Sequence, residues 1–147
     1  MPDKTSGTSF DKDARNISRR YRDFISILIM SFVAKRFEKN EPPYTAEDIS
    51  EECQIPIRLT NQTLYELQEI NLLHEVVTDA KSQDIAYQPS MDISKLNVAL
   101  LLDKLDTHGS EDFKIDKDKE FHGQWETLMK AREEYYKSAS QVLLKDL

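Results

Sequence analysis

The stretch YTAEDISEECQIPIRLTNQTLYELQEINLLHEV, residues 44–76, decides the fold. Thr45 followed three residues later by Asp48 is a Thr-x-x-acid box, the signature of a helix start. Ile49 and Cys53 lie four apart and share one face of the short helix it opens. QIP makes the next turn, with Pro56 suited to the first position of another helix. In that helix Leu59, Thr63, Leu64, Leu67 and Ile70 recur at helical spacing, and Asn71 suits a left-handed C-cap. LLHEVV (72–77) and IAYQP (85–89) read as strands, joined by the polar TDAKSQD (78–84) as a hairpin tip.

Upstream, residues 14–40 form an apolar-periodic segment through Ile17, Tyr21, Phe24, Ile25, Leu28, Phe32 and Phe37. Ile27, Ile29, Met30 and Val33 fill its other faces, so its middle is expected to be buried on most sides. The EPP at 41–43 pushes the chain out of helical geometry. Downstream, Ser94 is placed to cap a Leu-rich helix over 95–106, closed by Gly109. SEDFKIDKDK (110–119) is a charged connector. A last helix is predicted over 118–145, with Phe121, Trp125, Leu128, Tyr135, Ala139 and Val142 along one side. The expected class is mainly α with a small β-hairpin: a winged helix-turn-helix with extra N- and C-terminal helices. Residues 1–13 read as a flexible tail or linker and 14–109 as the winged-helix domain. Residues 110–147 read as a connector and a helix that packs on the same domain or on a second copy. A homodimer through the N- and C-terminal helices follows as an expectation.

The 147 residues suit one domain, able to bury roughly 70% of the unfolded surface. Hydrophobic residues make up 39% and charged residues 32%, outside the disordered class. A single cysteine, Cys53, excludes an internal disulfide and suits a reducing cytoplasm. The longest apolar run, FISILIMSFVA (24–34), falls short of the ~20 residues a spanning helix needs. No secretory-signal pattern is present.

Charge is distributed unevenly. Residues 44–80 hold eight acids against Arg58 alone, a local net charge of -7, which equals that of the whole chain. A polyanion is approached with the opposite sign, so this balance argues against nucleic acid as a partner. Were the third helix a DNA reader, Arg58, Asn61 and Gln62 would face bases, with Tyr65 and Gln68 also roughly outward. Lys81 at the wing tip and the N-terminal Arg19 and Arg20 would supply phosphate contacts. Residues 15–39 carry seven bases and two acids, a net +5. That basic segment suits a nucleic-acid arm or the cytoplasmic flank of a membrane span.

Thr45, Ile49, Ile55, Pro56, Leu64, Leu67, Leu72 and the run LNVALLLDKLD (96–106) resemble the framework of the iron–sulfur-sensing winged-helix repressors. The glycine-rich wing motif of that family is missing. Its ligand cysteines, which follow the recognition helix, have no counterpart, so no cluster is expected. From NISRRYRDF (16–24) to LLKDL (143–147) the chain also resembles the soluble C-terminal extension of YihY-type, ribonuclease BN-like inner-membrane proteins. That second resemblance implies a non-catalytic interaction domain at the cytoplasmic face of a membrane, tethered through an upstream span, with an unidentified protein partner. The alternative is a DNA-binding transcriptional regulator of the winged-helix class.

No residue pattern supports the ribonuclease label. His74, His108 and His122 are far apart and in no metal-binding spacing, and Glu47, Asp48, Glu51 and Glu52 read as a solvated acidic face. Cys53, beside acids and near a helix C-terminus, is expected to have a raised pKa and to be a poor nucleophile. Trp125, Tyr135 and Tyr136 lack the basic groove of a single-strand binding platform. No catalysis, metal or cofactor is expected.

Overall fold

Ser18 accepts a hydrogen bond from the Tyr21 amide at 3.1 Å, satisfying one of the donors left open at a helix start. It opens α1, Arg19–Glu38, in a computed structural model that describes residues 16–78 and 81–147. The expected tail 1–13 and the helix start at Ala14 lie outside the described residues. Asn40 stops α1 by turning left-handed (φ 57°), and the Glu41 amide returns to the Arg36 carbonyl at 3.2 Å. Glu41, Pro42 and Pro43 follow a stop that Asn40 has already made. The buried stripe of α1 is Ile25, Ile29, Met30, Val33 and Ala34. Tyr21 and Phe24, expected in that stripe, are each 53% exposed, and Phe37 is 46% exposed. Spacing alone gave two candidate faces, and the aromatic one is the face turned outward.

The capping box forms as its residues predict: Thr45 Oγ1 accepts from the Asp48 amide, and Asp48 Oδ2 accepts from the Thr45 amide. It opens α2, Ala46–Cys53, which buries Ala46 and Ile49. Gln54 then takes a left-handed conformation (φ 56°), and the Ile55 amide donates to the Ser50 carbonyl at 3.0 Å. This makes the turn into α3, Ile57–Glu69, with Pro56 one position earlier than expected, at the N-cap. Leu59, Thr63, Leu64 and Leu67 face the core together with Thr60. Thr60 and Thr63 are tolerated there because their hydroxyls donate to carbonyls of their own helix. Asn71 (φ 63°) is the left-handed residue after α3, as expected.

Strand β1 (Leu73–Val77) pairs antiparallel with β2 (Ile85–Pro89), in register from Leu73 opposite Pro89 to Val77 opposite Ile85. The Tyr87 amide donates to the Tyr44 carbonyl at 3.0 Å, which fixes this wing to the start of α2. Next comes α4, Val98–Asp106, capped by Asn97 through the Leu100 amide. Ser94 does not cap it, because both its amide and its hydroxyl are bound to Asp92 Oδ1. The last helix, α5, covers His122–Ala139, is shorter than expected at both ends, and packs on α4. Beyond it the chain turns back: the Leu144 amide reaches the Leu96 carbonyl at 3.0 Å, and Leu144 is fully buried.

Mainly α-helical with one small hairpin, the architecture is that of a winged helix-turn-helix with flanking helices. Its centre is Ile29 and Met30 of α1, Ile49 of α2, Leu64 and Leu67 of α3, and Leu72, Leu96, Leu101 and Leu144 around them. Among the described residues no helix is long and apolar enough to cross a membrane.

Candidate nucleic-acid interface

Burying one side of α3 leaves Arg58, Asn61, Gln62 and Tyr65 on the other, at the i, i+3, i+4, i+7 spacing of a single exposed stripe. All four lie in the first two-thirds of the helix, the part that a recognition helix turns to base edges. Tyr65 is 64% exposed. From Ile57 to Tyr65 the helix contains no acid.

The acids of the local sum are placed elsewhere. Glu66 is half-buried and held by Arg22 of α1 at 2.9 Å. Glu69 is the last residue of α3, exposed and 3.7 Å from His108. Asp48 is engaged in the capping box, while Glu47, Glu51 and Glu52 project from α2 and Glu75 from β1. Asp79 lies outside the described residues. A charge count along the chain treats these groups as one surface, whereas the two acids of α3 itself, Glu66 and Glu69, both come after Tyr65, and of them Glu69 continues the exposed stripe at the helix end.

The other candidates fall on different elements. Gln62 also lines a shallow depression with Arg22, Ile25 and Ser26 of α1, so the first turns of α1 run alongside α3. Lys81 sits exposed in the hairpin loop, where Gln83 takes a left-handed conformation (φ 56°). Arg20 is exposed on the first turn of α1. Arg19 opens on a separate cleft with Asp106 and Arg132 and does not join the α3 stripe. Gln68, expected to face roughly outward, is half-buried.

A second basic surface was visible in the sequence only as part of a net charge. Lys35, Arg36 and Lys39 line a cavity of about 270 Å³ with Phe32 and Tyr44. The Arg36 guanidinium stacks 4.5 Å above the Tyr44 ring and donates to Glu41. The spacing of Lys35 and Lys39, one turn apart, was the available signal.

The chain matches no family model and no curated protein. Its fold has solved counterparts. T. potens IscR is 18% identical over 88% of this chain and 83% of that one, with a TM-score of 0.59. CymR, the global cysteine regulator of B. subtilis, is 15% identical over 88% and 93%, also at 0.59. Staphylococcus aureus CymR is 15% identical over 85% and 93%, at 0.58. The likeness is one of fold.

Two expectations are corrected by it. The fold resembles that of winged-helix regulators such as IscR and CymR, not ribonuclease BN-like YihY proteins, and the membrane association expected from the latter loses the resemblance it rested on. Of the residues that suggested the ribonuclease BN-like extension, 16–24 are mostly exposed and only Leu144 of 143–147 is buried, so they do not single out a fold. The conclusion that nucleic acid is an improbable partner also fails: the fold is shared with regulators, and the outward α3 stripe carries no acid before Glu69 at its end.

An iron–sulfur cluster does not fit these residues, since such clusters are held by several thiolates and this chain has one cysteine. Cys53 is half-buried on α2, and burial, reinforced by Glu52, pushes its thiol up to about 11. Among the described residues no group of three or more His, Cys, Asp or Glu side chains could hold a metal ion.

Proposed function

We propose that this protein is a DNA-binding transcriptional regulator of the winged-helix class, working in the cytoplasm without a catalytic step. The observation that carries the reading is the exposed stripe Arg58, Asn61, Gln62 and Tyr65 on the outer face of α3, where an acid, Glu69, comes only at the helix end. Arg pairs bidentately with guanine, and Asn or Gln with adenine, in the major groove. Lys81 in the wing and Arg20 at the start of α1 contact phosphates under this reading.

The regulator acts as a homodimer. Tyr21 and Phe24 on α1 and Leu128, Met129 and Tyr135 on α5 leave large apolar surface exposed, and α5 has no buried residue. A two-fold pair presents two α3 helices to half-sites about 34 Å apart. Selection from a random duplex library, followed by fluorescence anisotropy on the enriched site, tests the function. A palindromic site bound at least a thousandfold tighter than random duplex supports it. Equal affinity for all sequences, or no binding at low salt, removes it. Light scattering showing only monomer at high micromolar concentration removes the dimer.

A further inference from the structure

The first turns of α1, the ends of α3 and α4 and the middle of α5 enclose a cleft of about 280 Å³. Six charged side chains line it: Arg19, Arg22 and Asp23 from α1, Glu66 from α3, Asp106 from α4 and Arg132 from α5. Four of them close on one another. Arg22 bonds Glu66 at 2.9 Å, and Arg132 bonds Asp106 at 3.0 Å. Asp106 Oδ2 also accepts from the Tyr136 hydroxyl.

The remaining two are Arg19 and Asp23. They stand one helical turn apart on α1, one cationic and one anionic, and both open on the cleft. Among the described residues neither side chain makes a hydrogen bond or a salt bridge. Asp23 is half-buried, and burial and the neighbouring Asp106 carboxylate raise its pKa from the ordinary carboxylate value, outweighing the opposite pull of Arg132 and Arg22. Both carboxylates line the cleft and repel each other although Arg132 bonds Asp106, so a further cation beside Asp23 is favoured. A metal ion is a poor candidate for that place, because these residues do not form a metal-binding group. An ammonium group suits it: a compact charge with three donors. Arg19 offers a planar fork to a carboxylate.

We propose that this cleft binds a small zwitterion of the α-amino-acid class, its carboxylate on Arg19 and its ammonium between Asp23 and Asp106. At ~30 Å³ for each liquid water, the cleft holds roughly nine waters. That is room for an amino-acid main chain and a short side chain. Leu105 adds an apolar wall to an otherwise mostly polar lining.

Occupancy reaches α3 through Arg22, which bridges α1 to Glu66. A ligand carboxylate held by Arg19 enters the cleft that Arg22 also lines, competes with Glu66 for the Arg22 charge and so loosens the seating of the helix assigned to DNA. This coupling rests on the DNA-binding reading; the binding itself does not.

The test uses the whole chain without DNA, titrated calorimetrically with the L-amino acids one at a time. Each is paired with two controls, the amine lacking the carboxylate and the N-acetyl derivative lacking the ammonium. The expected result is saturable binding of at least one amino acid, with both controls tenfold weaker or worse. Arg19→Gln and Asp23→Asn each weaken that binding at least tenfold. Asp23→Asn removes a charge repelled by Asp106, so its fold is retained, which circular dichroism checks. Binding of no amino acid overturns the proposal. Equal binding of either control, or unchanged binding by the two variants, overturns it as well. Since no DNA is present, failure of the regulatory reading leaves these outcomes unaffected.

Discussion

At Arg58 and Asn61 the side chains leave α3 one turn apart on its exposed face. Replacing either by alanine is expected to cost ~1–3 kcal/mol of affinity for the preferred site and to relax its sequence preference at one position. Anisotropy on the selected site and on single-base variants reads this, with the urea midpoint measured alongside to separate any effect on folding. Cys53 gives a second expectation. Its thiol is raised from 9.0 to about 11, first by burial and then by Glu52. The folded chain therefore holds this proton more tightly than the unfolded one. The contribution to stability is full below pH 9 and is lost as pH rises towards 11. Urea midpoints on either side of that window should fall less for Cys53→Ala than for the wild type, and iodoacetamide should modify Cys53 slowly at neutral pH.

Among the elements, the α2–α3 turn and the wing make separable contributions. Gln54 holds a left-handed conformation that costs a side-chain-bearing residue energy, so Gln54→Gly should stabilise the chain by about 0.5–1 kcal/mol in urea denaturation. The wing should act on the backbone of DNA, not on its bases. Lys81→Ala is expected to weaken binding evenly across sequences and to lower the salt slope by about 1. These elements also mark what could be read beforehand. Local chemistry was legible: the Thr45–Asp48 box, the left-handed Asn71 and the strand Ile85–Pro89 all depend on near neighbours. What needed the third dimension was not. Ser94 had the right type for a cap, but Asp92 binds it first. Tyr21 and Phe24 had core spacing yet lie on the outer side of α1. Arg58, Asn61 and Gln62 do lie exposed on α3, but a linear charge count cannot know that Glu66 beside them turns towards Arg22.

On the scale of the whole molecule, a net charge of -7 sets the conditions under which a polyanion can be met. Few cations are available to displace counterions, so affinity for random duplex should be weak at physiological salt even if the specific site is bound well. The return of the chain after α5 has a consequence of its own. Leu144 fills the centre between α1 and α4, and Lys145 bonds Glu38 at 2.6 Å. Removing residues 140–147 should therefore cost at least the 2–5 kcal/mol typical of emptying a buried leucine site, measurable as a lower thermal midpoint. During synthesis, α1–α3 and the hairpin leave the ribosome long before this plug does. The nascent winged helix must wait with an open seam until residue 144 clears the exit tunnel, and a chaperone that shields apolar surface would find its docking place there.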